Sequence, residues 1–360
     1  MKTTKTNLES RIETLFRKTV KKDSRVKNAY LLVHSEKMDV HLNLAEGSTG
    51  NITASPQQPN YMASVGKLFT STIVGLLHEQ GKLSFTDPIS RYLDSDLMNK
   101  LHVYKSTDYS GAIQIRHLLN QSSGLADNFY PLFDKVLADP EFRITTREAV
   151  EWIKPNLTPS APPGKKAYYT DTNYHLLGLI IENVTGGPFH EALHKMIFDP
   201  IEMKHSFMLH NSRQAENPSF PTADFYFNKT RLNDLQGFPP LDFSGGGVVA
   251  PLEECLTFMK ALVNGELVSS ETLETMKNDK VPLYPNFDYG YAIWHLKPIP
   301  LLIPAKFKSW GVLGATGAFM FYHPELETYL IGSFNHSAYQ RRCVRFMMRV
   351  MNSLWKGVRQ

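Results

Sequence analysis

The chain has 360 residues, of which 42% are hydrophobic, and its formal net charge is +4 at pH 7. That length and composition suffice for about two packed domains, and the basic residues form no stripe interleaved with aromatic ones, which argues against nucleic-acid binding. The two cysteines, Cys255 and Cys343, exclude a disulfide framework and lack zinc-like spacing, so we expect reduced thiols in the core.

The N-terminal stretch MKTTKTNLESRIETLFRK is polar and lacks the apolar region of a secretory signal, and no run of 18 apolar residues occurs in the chain. The cytoplasm is therefore the expected compartment, and no membrane span is expected. Within this stretch Leu8, Ile12, Leu15 and Phe16 recur at helical spacing between charged residues, which predicts an amphipathic helix lying on a sheet.

Two strand patterns follow, NAYLLVHS at Asn28–Ser35 and VHLNLAEG at Val40–Gly47, with the turn EKMD between them. The next stretch, SVGKLFTSTIVGLLHEQGK, predicts a helix that begins at Ser64. Its apolar residues lie nearly all round the helix, which is typical of a buried central element. Gly81 is a stop signal for this helix.

From Ile113 to about Met208 the pattern is largely helical and predicts a second, helical region. Within it the loop PSAPPGKKAYYTD is rich in proline and glycine, and a loop held between rigid helices is a common place for catalytic groups. The following segment, Pro218–Pro240, is predicted to be a long surface loop with many aromatic residues.

Strand patterns return in the last third of the chain, at Val248–Val249 after a glycine run, at Tyr289–Leu296, at Gly317–Pro324 and at Thr328–Asn335. The chain ends in a helix whose apolar stripe is expected to pack on the sheet. The alternative is a helix that lies on a membrane surface, because its other face carries arginines.

Early strands, a helical insertion and late strands predict an α+β fold in which one antiparallel sheet joins both ends of the chain. We expect a discontinuous sheet domain at residues 1–60 and 240–360, flanked by the terminal helices. A mainly helical domain at residues 61–239 would carry the Ser64 helix and the loop that contains Tyr169.

The pattern Ser-x-x-Lys occurs three times, beginning at Ser24, Ser64 and Ser353. Only Ser64 opens an apolar helix, in which Lys67 lies one turn away on the same face. Burial there favours the neutral amine, which can accept a proton from the hydroxyl, and the helix N-terminus adds backbone N–H groups beside the nucleophile. The spacing alone leaves two interpretations open, a catalytic serine and a serine that caps the helix.

Five ordered stretches add to this pattern: YMASVGKLFTSTIVGLLHEQGKLSFTDPISRYL, IQIRHLLNQSSGL, PGKKAYYTDTNYHLLGLIIENVTG, DPIEMKHSFM and SGGGVV. Together they resemble the serine β-lactamase and penicillin-binding-protein superfamily, in the branch with class C β-lactamases, D-alanyl-D-alanine carboxypeptidases, D-aminopeptidases and lipase-like esterases. The resemblance covers about residues 26–350, and Ser64 and Lys67 match the family's S-x-x-K element. It implies a β-lactamase/transpeptidase-like fold.

By this resemblance Ser64 is the acylated nucleophile and Lys67 is its base. The family's Tyr-x-Asn element matches Tyr169, Thr170 and Asp171, so Tyr169 is expected to pass a proton between Ser64 and the leaving group. Asp171 departs from the family's asparagine. A carboxylate near Lys67 favours the ammonium form of the lysine, so Tyr169 would then act as the base to a greater extent. The alternative is that Tyr169 is an aromatic residue of the loop without a catalytic role.

The family's third element is Lys or His, then Thr or Ser, then Gly. In WGVLGATGAFMFYHPE it falls on Val312, Leu313 and Gly314, a register that keeps Thr316, Gly317 and the following strand in place. A register shifted by three residues restores the threonine and the glycine but still supplies no cation. The cation of this element is therefore missing from the sequence.

The missing cation affects which class of substrate the site is expected to bind. A penicillin or a peptidyl-D-alanine carboxylate would lose its charge-assisted partner, and Val312 and Leu313 would offer an apolar wall instead. Backbone N–H groups of Ser64 and Ala315 are still expected to form an oxyanion hole. The sequence thus predicts a serine hydrolase that forms an acyl-enzyme with a small neutral ester or amide and needs no cofactor.

Three alternatives stay open, and the sequence does not indicate the oligomeric state. The first is a β-lactamase or D-alanyl-D-alanine carboxypeptidase, and the second is a non-catalytic binding or scaffold protein, suggested by the changes at Val312 and Asp171. The third is a zinc peptidase, because His190 and His194 belong to an H-E-x-x-H motif with Glu216 downstream. That helix also fits the superfamily as a structural element, so we expect no metal.

Overall fold

The structure, a computed structural model, describes residues 2–139, 141–212 and 219–358, with side chains from residue 7 onward. The α-helices in these ranges are α1 (Lys2–Lys21), α2 (Gly66–Glu79), α3 (Ser95–Met98), α4 (Ile115–Leu119), α5 (Phe129–Ala138), α6 (Thr146–Asn156), α7 (Asp171–Thr185), α8 (Phe189–Leu193), α9 (Phe238–Gly246), α10 (Leu252–Val263), α11 (Ser270–Asn278) and α12 (Arg342–Val358). The strands in the same ranges are β1 (Asn28–Ser35), β2 (Val40–Thr49), β3 (Ile52–Thr53), β4 (Asn60–Tyr61), β5 (Val103–Tyr104), β6 (Thr107–Asp108), β7 (Phe207–Met208), β8 (Tyr226–Phe227), β9 (Thr230–Arg231), β10 (Val248–Ala250), β11 (Val281–Tyr284), β12 (Phe287–Tyr289), β13 (Trp294–Leu296), β14 (Ser309–Leu313), β15 (Phe319–His323) and β16 (Thr328–Ser333).

One antiparallel sheet of nine strands organises the fold, in the order β11-β12-β13-β14-β15-β16-β1-β2-β3. The strand β1 lies between β16 and β2, with Tyr30 opposite Ser333 on one side and Ala45 on the other. The first and the last strands of the chain are therefore neighbours. This confirms the predicted α+β fold with a sheet that joins both ends of the chain.

Helices cover both faces of this sheet. On β2, Asn43 donates a hydrogen bond to Glu253 of α10 at 2.9 Å, whereas Glu46 forms an ion pair with Arg17 of α1. Side chains of a strand point alternately to its two faces, and these two positions are an odd number of residues apart. It follows that α10 and α1 lie on opposite faces of the sheet.

The terminal helix α12 packs its apolar stripe inward, as predicted. The Phe346 ring lies 6.3 Å from Phe16 of α1 and 6.3 Å from Phe319 of β15. The alternative in which this stripe enters a membrane surface is therefore wrong.

Cys255 and Cys343 are both free and buried, as expected. Among the described helices, none has the length and hydropathy needed to cross a bilayer.

The helix predicted from Ser64 begins slightly later. Ala63–Val65 form a 3₁₀ turn, and α2 follows from Gly66 with most of its side chains buried. The stop signal is confirmed, because α2 ends two residues before Gly81, whose φ of +67° suits glycine. The boundaries of the two predicted domains stay a prediction.

The strand predicted at Tyr289–Leu296 is wrong in extent. The segment holds the end of β12 and the whole of β13, and a turn joins them, with the Gly290 N–H donating to Ile293 O at 2.8 Å. The turn itself is buried, since Tyr291 is 1% exposed and Ile293 is not exposed at all. A buried turn continues the apolar pattern of its strands, so the sequence pattern does not reveal it.

The aromatic segment Pro218–Pro240 is not simply a surface loop, although Pro218 itself lies outside the described residues. It contains the short hairpin β8–β9 and two buried rings, Phe225 and Phe238. Both rings pack on Tyr61, at centroid distances of 4.2 Å and 5.7 Å. These aromatic residues belong to a second hydrophobic cluster, which also includes Ala63, next to Ser64.

Candidate active site

The turn that carries Ser64 is anchored to the strands around it. Tyr61 of β4 pairs with Val249 of β10, and the Met62 N–H donates to Val248 O at 3.0 Å. Ala63 follows with φ +49°, a left-handed conformation that residues with a side chain adopt rarely and that the surrounding packing must hold. Ala63 and Val65 are buried while Ser64 stays partly exposed, so the turn presents its hydroxyl at the surface of the site.

Lys67 lies one turn after Ser64, as the spacing predicts, and its side chain is completely buried. Its Nζ is 3.2 Å from Ser64 Oγ and 2.6 Å from the backbone oxygen of Gly245, and it forms an ion pair with Asp171. The lysine therefore has three oxygen partners and no contact with bulk water. This arrangement brings the predicted nucleophile, base and acidic residue together at one point.

Tyr169 completes this group from the loop before α7. Its hydroxyl lies near the Ser64 side chain, and its ring packs against Tyr289 and Trp294 at centroid distances of 5.8 Å and 5.7 Å. Burial, together with the nearby Asp171 carboxylate, raises the pKa of Tyr169 well above its usual value. The phenol is therefore protonated at neutral pH, which suits a proton donor better than a base.

Asp171 begins α7 and is held there by a second acid, Asp127. The Asp171 N–H donates to Asp127 Oδ1 at 2.9 Å, and the hydroxyl of Thr170 donates to the same oxygen at 3.2 Å. Burial and the Asp171 charge raise the pKa of Asp127 to about 6. The N-cap of α7 is Thr170, whose hydroxyl accepts the Thr172 N–H at 3.1 Å. Asp127 accepts the N–H of Asp171, the residue that α7 presents to Lys67.

The carbonyl of Gly245 reaches Lys67 because two backbones approach closely. A side chain on Gly66 would come within 2.8 Å of Gly246 O, so the start of α2 can lie against this segment only with glycine there. Within α9, Phe243 has φ 34° and ψ −127°, which breaks the helix just before Gly245. The sequence pattern at residues 244–247 predicted only the start of a strand and gave no sign of the contact between Gly245 and Lys67.

Asp242 is a further acid at this site that the sequence analysis missed. It is almost fully buried, and its Oδ2 accepts a hydrogen bond of 2.7 Å from the Tyr61 hydroxyl. Burial and the Asp171 charge raise the pKa of Asp242 to about 7, although the Tyr61 hydrogen bond and the Lys67 charge oppose this. Its position between two apolar neighbours, Leu241 and Phe243, was the available signal of a buried acid.

The raised pKa of Asp242 makes protein stability depend on pH. An unfolded aspartate titrates near pH ~3.9, so between about pH 4 and 7 the folded chain keeps a proton that the unfolded chain has lost. Stability therefore falls as pH rises through this window. We expect the Asp242→Asn variant to have the stability of the wild type near pH 4 and to exceed it at pH 8 by roughly a few kcal/mol. The reason is that asparagine does not ionise but can accept the Tyr61 hydrogen bond.

Urea unfolding at a series of pH values measures this difference. Asp234→Asn is the matched control, because the Asp234 side chain is 80% exposed. A stability difference between the Asp242→Asn variant and the wild type that stays constant from pH 4 to 8 would contradict the expectation.

The third sequence element lies beside the Ser64 turn. A side chain on Gly314 would come within 2.8 Å of Met62 O and 3.0 Å of the Ala63 Cβ, so the end of β14 touches the residues before Ser64. Val312 is completely buried, whereas Leu313 and Ala315 are partly exposed. Of the predicted apolar wall, Leu313 is therefore the part that solvent or substrate can reach.

The zinc alternative finds no support among the described residues. His190 lies in α8 and His194 begins the π-helical turn after it, with His194 Nδ1 3.8 Å from Asp199 Oδ1. No three histidine, cysteine or acidic side chains in the described ranges are grouped so that they could hold a metal ion. Glu216, the third ligand considered, lies outside those ranges.

Comparisons with known proteins bear on the family and the fold of this chain. A family model described as Beta-lactamase matches residues 12–347. PbpX of Bacillus subtilis (strain 168), named provisionally as a penicillin-binding protein, is 25% identical over 231 residues, 62% of this chain and 51% of PbpX. This chain spans from about a third to about a half of the length of the first curated relatives it matches.

Two solved structures resemble the whole chain. The D-amino acid amidase from Ochrobactrum anthropi SV3, complexed with L-phenylalanine, has a TM-score of 0.78 and 21% identity, covering 98% of this chain and 100% of the amidase. EstCE1, described as a hydrolase with promiscuous acyltransferase activity, has a TM-score of 0.77 and 16% identity, covering 98% of this chain and 99% of EstCE1. These likenesses establish a shared fold, and the family match over nearly the whole sequence shows that the chain belongs to the β-lactamase family.

Proposed function

We propose that this protein is a serine hydrolase that forms an acyl-enzyme on Ser64. The observation that carries the proposal is the 3.2 Å contact between Lys67 Nζ and Ser64 Oγ in a site from which the lysine cannot reach water. A hydroxyl beside a buried amine is the usual arrangement of an activated nucleophile. Tyr169, which lies near the same serine, adds a second group that can move a proton.

The proposed reaction begins when Ser64 Oγ attacks the carbonyl carbon of the substrate. Lys67 receives the serine proton after passing one of its own to the Asp171 carboxylate with which it is paired. The tetrahedral intermediate then collapses, and the Tyr169 phenol protonates the leaving group. Water then attacks the resulting ester, gives one proton to the Ser64 oxygen and leaves with the acyl group as the carboxylic acid. Lys67 returns the serine proton to the Tyr169 phenolate, and Asp171 returns its proton to Lys67, so that all four side chains are back in their starting states.

An oxyanion hole formed by the backbone N–H groups of Ser64 and Ala315 would stabilise the tetrahedral intermediate. The close approach of Gly314 to Met62 and Ala63 supports this role, because it brings the backbone that follows β14 to the Ser64 turn. Backbone donors need no particular side chain. The departures at Val312 and Leu313 therefore leave this part of the mechanism intact.

The proposed substrate is a small ester or amide that is neutral where it meets Leu313. A carboxylate placed there would find no cation on Leu313 or on the buried Val312 beside it, and Lys67 is already paired with Asp171. Exposed aromatic residues near the site, Tyr168 and Tyr130, suit an apolar group better than an anion. The amidase and hydrolase named above share the fold that such a reaction would use.

Intact-mass spectrometry tests the proposal. The protein is exposed separately to a fluorophosphonate, a p-nitrophenyl ester and a penicillin, and any adduct is mapped by peptide analysis. We expect an adduct on Ser64 from the fluorophosphonate and from the ester, and slower labelling by the penicillin. Rapid penicillin labelling would favour the β-lactamase or carboxypeptidase alternative, and the absence of every adduct would favour a non-catalytic scaffold.

The role of Tyr169 leads to a separate prediction. Tyr169→Phe removes the hydroxyl that would protonate the leaving group, so we expect kcat to fall by about 10²- to 10⁴-fold. The loss should be greatest for amides, whose amine leaving groups need the proton most. Tyr168→Phe is the control, because Tyr168 is 44% exposed and should tolerate the change. Equal activity of the two variants would exclude an acid role for Tyr169.

A further inference from the structure

The last fifth of the chain has an unusual charge distribution. Residues 289–360 contain nine lysines and arginines and only two acids, Glu325 and Glu327, a net charge of +7. The whole chain has a net charge of +4, so the first 288 residues together carry −3. The net positive charge of this protein therefore comes from one part of the sequence.

The structure arranges part of this charge as a stripe along α12. Arg345, Arg349, Asn352 and Lys356 recur at the helical period and share one face, while the buried apolar residues of α12 occupy the other. The three charged residues are exposed. Within the part of the chain that the structure describes, no carboxylate forms an ion pair with any of the three, in contrast to Arg342, which pairs with Asp23.

A loop with an apolar tip lies next to this stripe. The loop joins β13 to β14, and its tip residues Leu301 and Leu302 are 107% and 76% exposed. The Ile303 N–H donates to Ile299 O at 2.8 Å and closes the loop below the tip. Few positions in a folded chain leave two successive leucines so fully in water, where their exposure is unfavourable.

The base of the loop is fastened to the stripe. Lys306 Nζ donates to Asn352 Oδ1 at 2.7 Å, and the indole N–H of Trp355 donates to Lys306 O at 2.8 Å. Asn352 is itself a member of the stripe. The loop that carries the apolar tip is therefore bonded at its base to the basic face of α12, and we treat the two as one surface, to which Lys308 adds another exposed cation.

We propose that this surface docks the protein reversibly on an anionic lipid bilayer, with Leu301 and Leu302 entering the headgroup region. Anionic headgroups complement Arg345, Arg349 and Lys356, and the interfacial apolar layer accepts the leucines. A nucleic acid would satisfy the same cations but would offer the leucine tip no apolar environment. The apolar stripe of α12 takes no part, since it is buried against the sheet and α1.

Vesicle co-sedimentation tests the proposal with the full chain. We expect binding to phosphatidylcholine vesicles that contain phosphatidylglycerol, little binding to phosphatidylcholine alone, and loss of binding as salt is raised. Leu301→Ser with Leu302→Ser, and separately Arg345→Gln with Arg349→Gln, should each lower the partition coefficient by about tenfold or more. All four side chains are exposed, so these variants should fold as the wild type does, which circular dichroism checks.

Lys82→Gln with Lys105→Gln is the matched control, because it removes two exposed positive charges outside this surface and should leave binding unchanged. Absence of binding to the phosphatidylglycerol vesicles overturns the proposal. So does retention of binding in the leucine variant, which would leave only a non-specific charge effect. Tighter binding to a duplex oligonucleotide than to the vesicles, unaffected by the leucine changes, would assign the surface to nucleic acid instead.

Discussion

Replacing Ser64 with alanine should lower kcat/KM for the ester or amide that the protein turns over by about 10³- to 10⁶-fold. The change removes the atom that becomes acylated, and only substrate binding and the oxyanion hole would continue to favour the reaction. Ser64 is partly exposed and contacts Lys67 at 3.2 Å, so we expect little change in stability. Steady-state kinetics and fluorophosphonate labelling measure the effect, and labelling should disappear.

The chain supplies its own control for this experiment. Ser24 also begins a Ser-x-x-Lys pattern, but it is exposed and lies in the connection between α1 and β1. Ser24→Ala should keep full activity and full labelling. Activity of the Ser64→Ala variant within about tenfold of the wild type would remove the acyl-enzyme proposal.

Replacing Lys67 with methionine should affect both catalysis and folding. Methionine has a similar length but accepts no proton, so acylation should slow by about 10³-fold or more. The lysine is completely buried and the Asp171 side chain is 14% exposed, so the variant leaves a nearly buried carboxylate without its partner. Breaking such a pair from one side costs about 3–5 kcal/mol, which urea unfolding can measure.

A second variant separates the two effects. Lys67→Met combined with Asp171→Asn removes the unpaired charge and should recover much of the lost stability, while activity should stay as low as in the single variant. Recovery of activity together with stability would show that Lys67 acts only as a structural cation. Asp171→Asn alone restores the residue that the family has at this position, and it shows whether the acid is needed for proton transfer.

Local patterns predicted those parts of the fold that neighbouring residues decide. The strand at Asn28–Ser35 and the terminal helix α12 have the predicted period, because alternation and helical spacing reflect which face of the element is buried. The hairpin hidden in Tyr289–Leu296 was missed because its turn is as buried as its strands. The aromatic residues around Phe225 were assigned to a surface loop because no pattern in their own stretch of sequence indicates that the ring of Tyr61 packs on them.

The sequence by itself determined the pairing of Ser64 with Lys67, because residues three apart share one face of a helix wherever that helix packs. It also indicated Tyr169 and Asp171, through the resemblance to a family. The tertiary structure alone decided what surrounds the lysine, since Asp171 is 104 positions from Lys67 and Gly245 is 178 positions away. Such contacts depend on how α2, α7 and α9 pack together, and that packing, unlike a helical period, leaves no local pattern in the sequence.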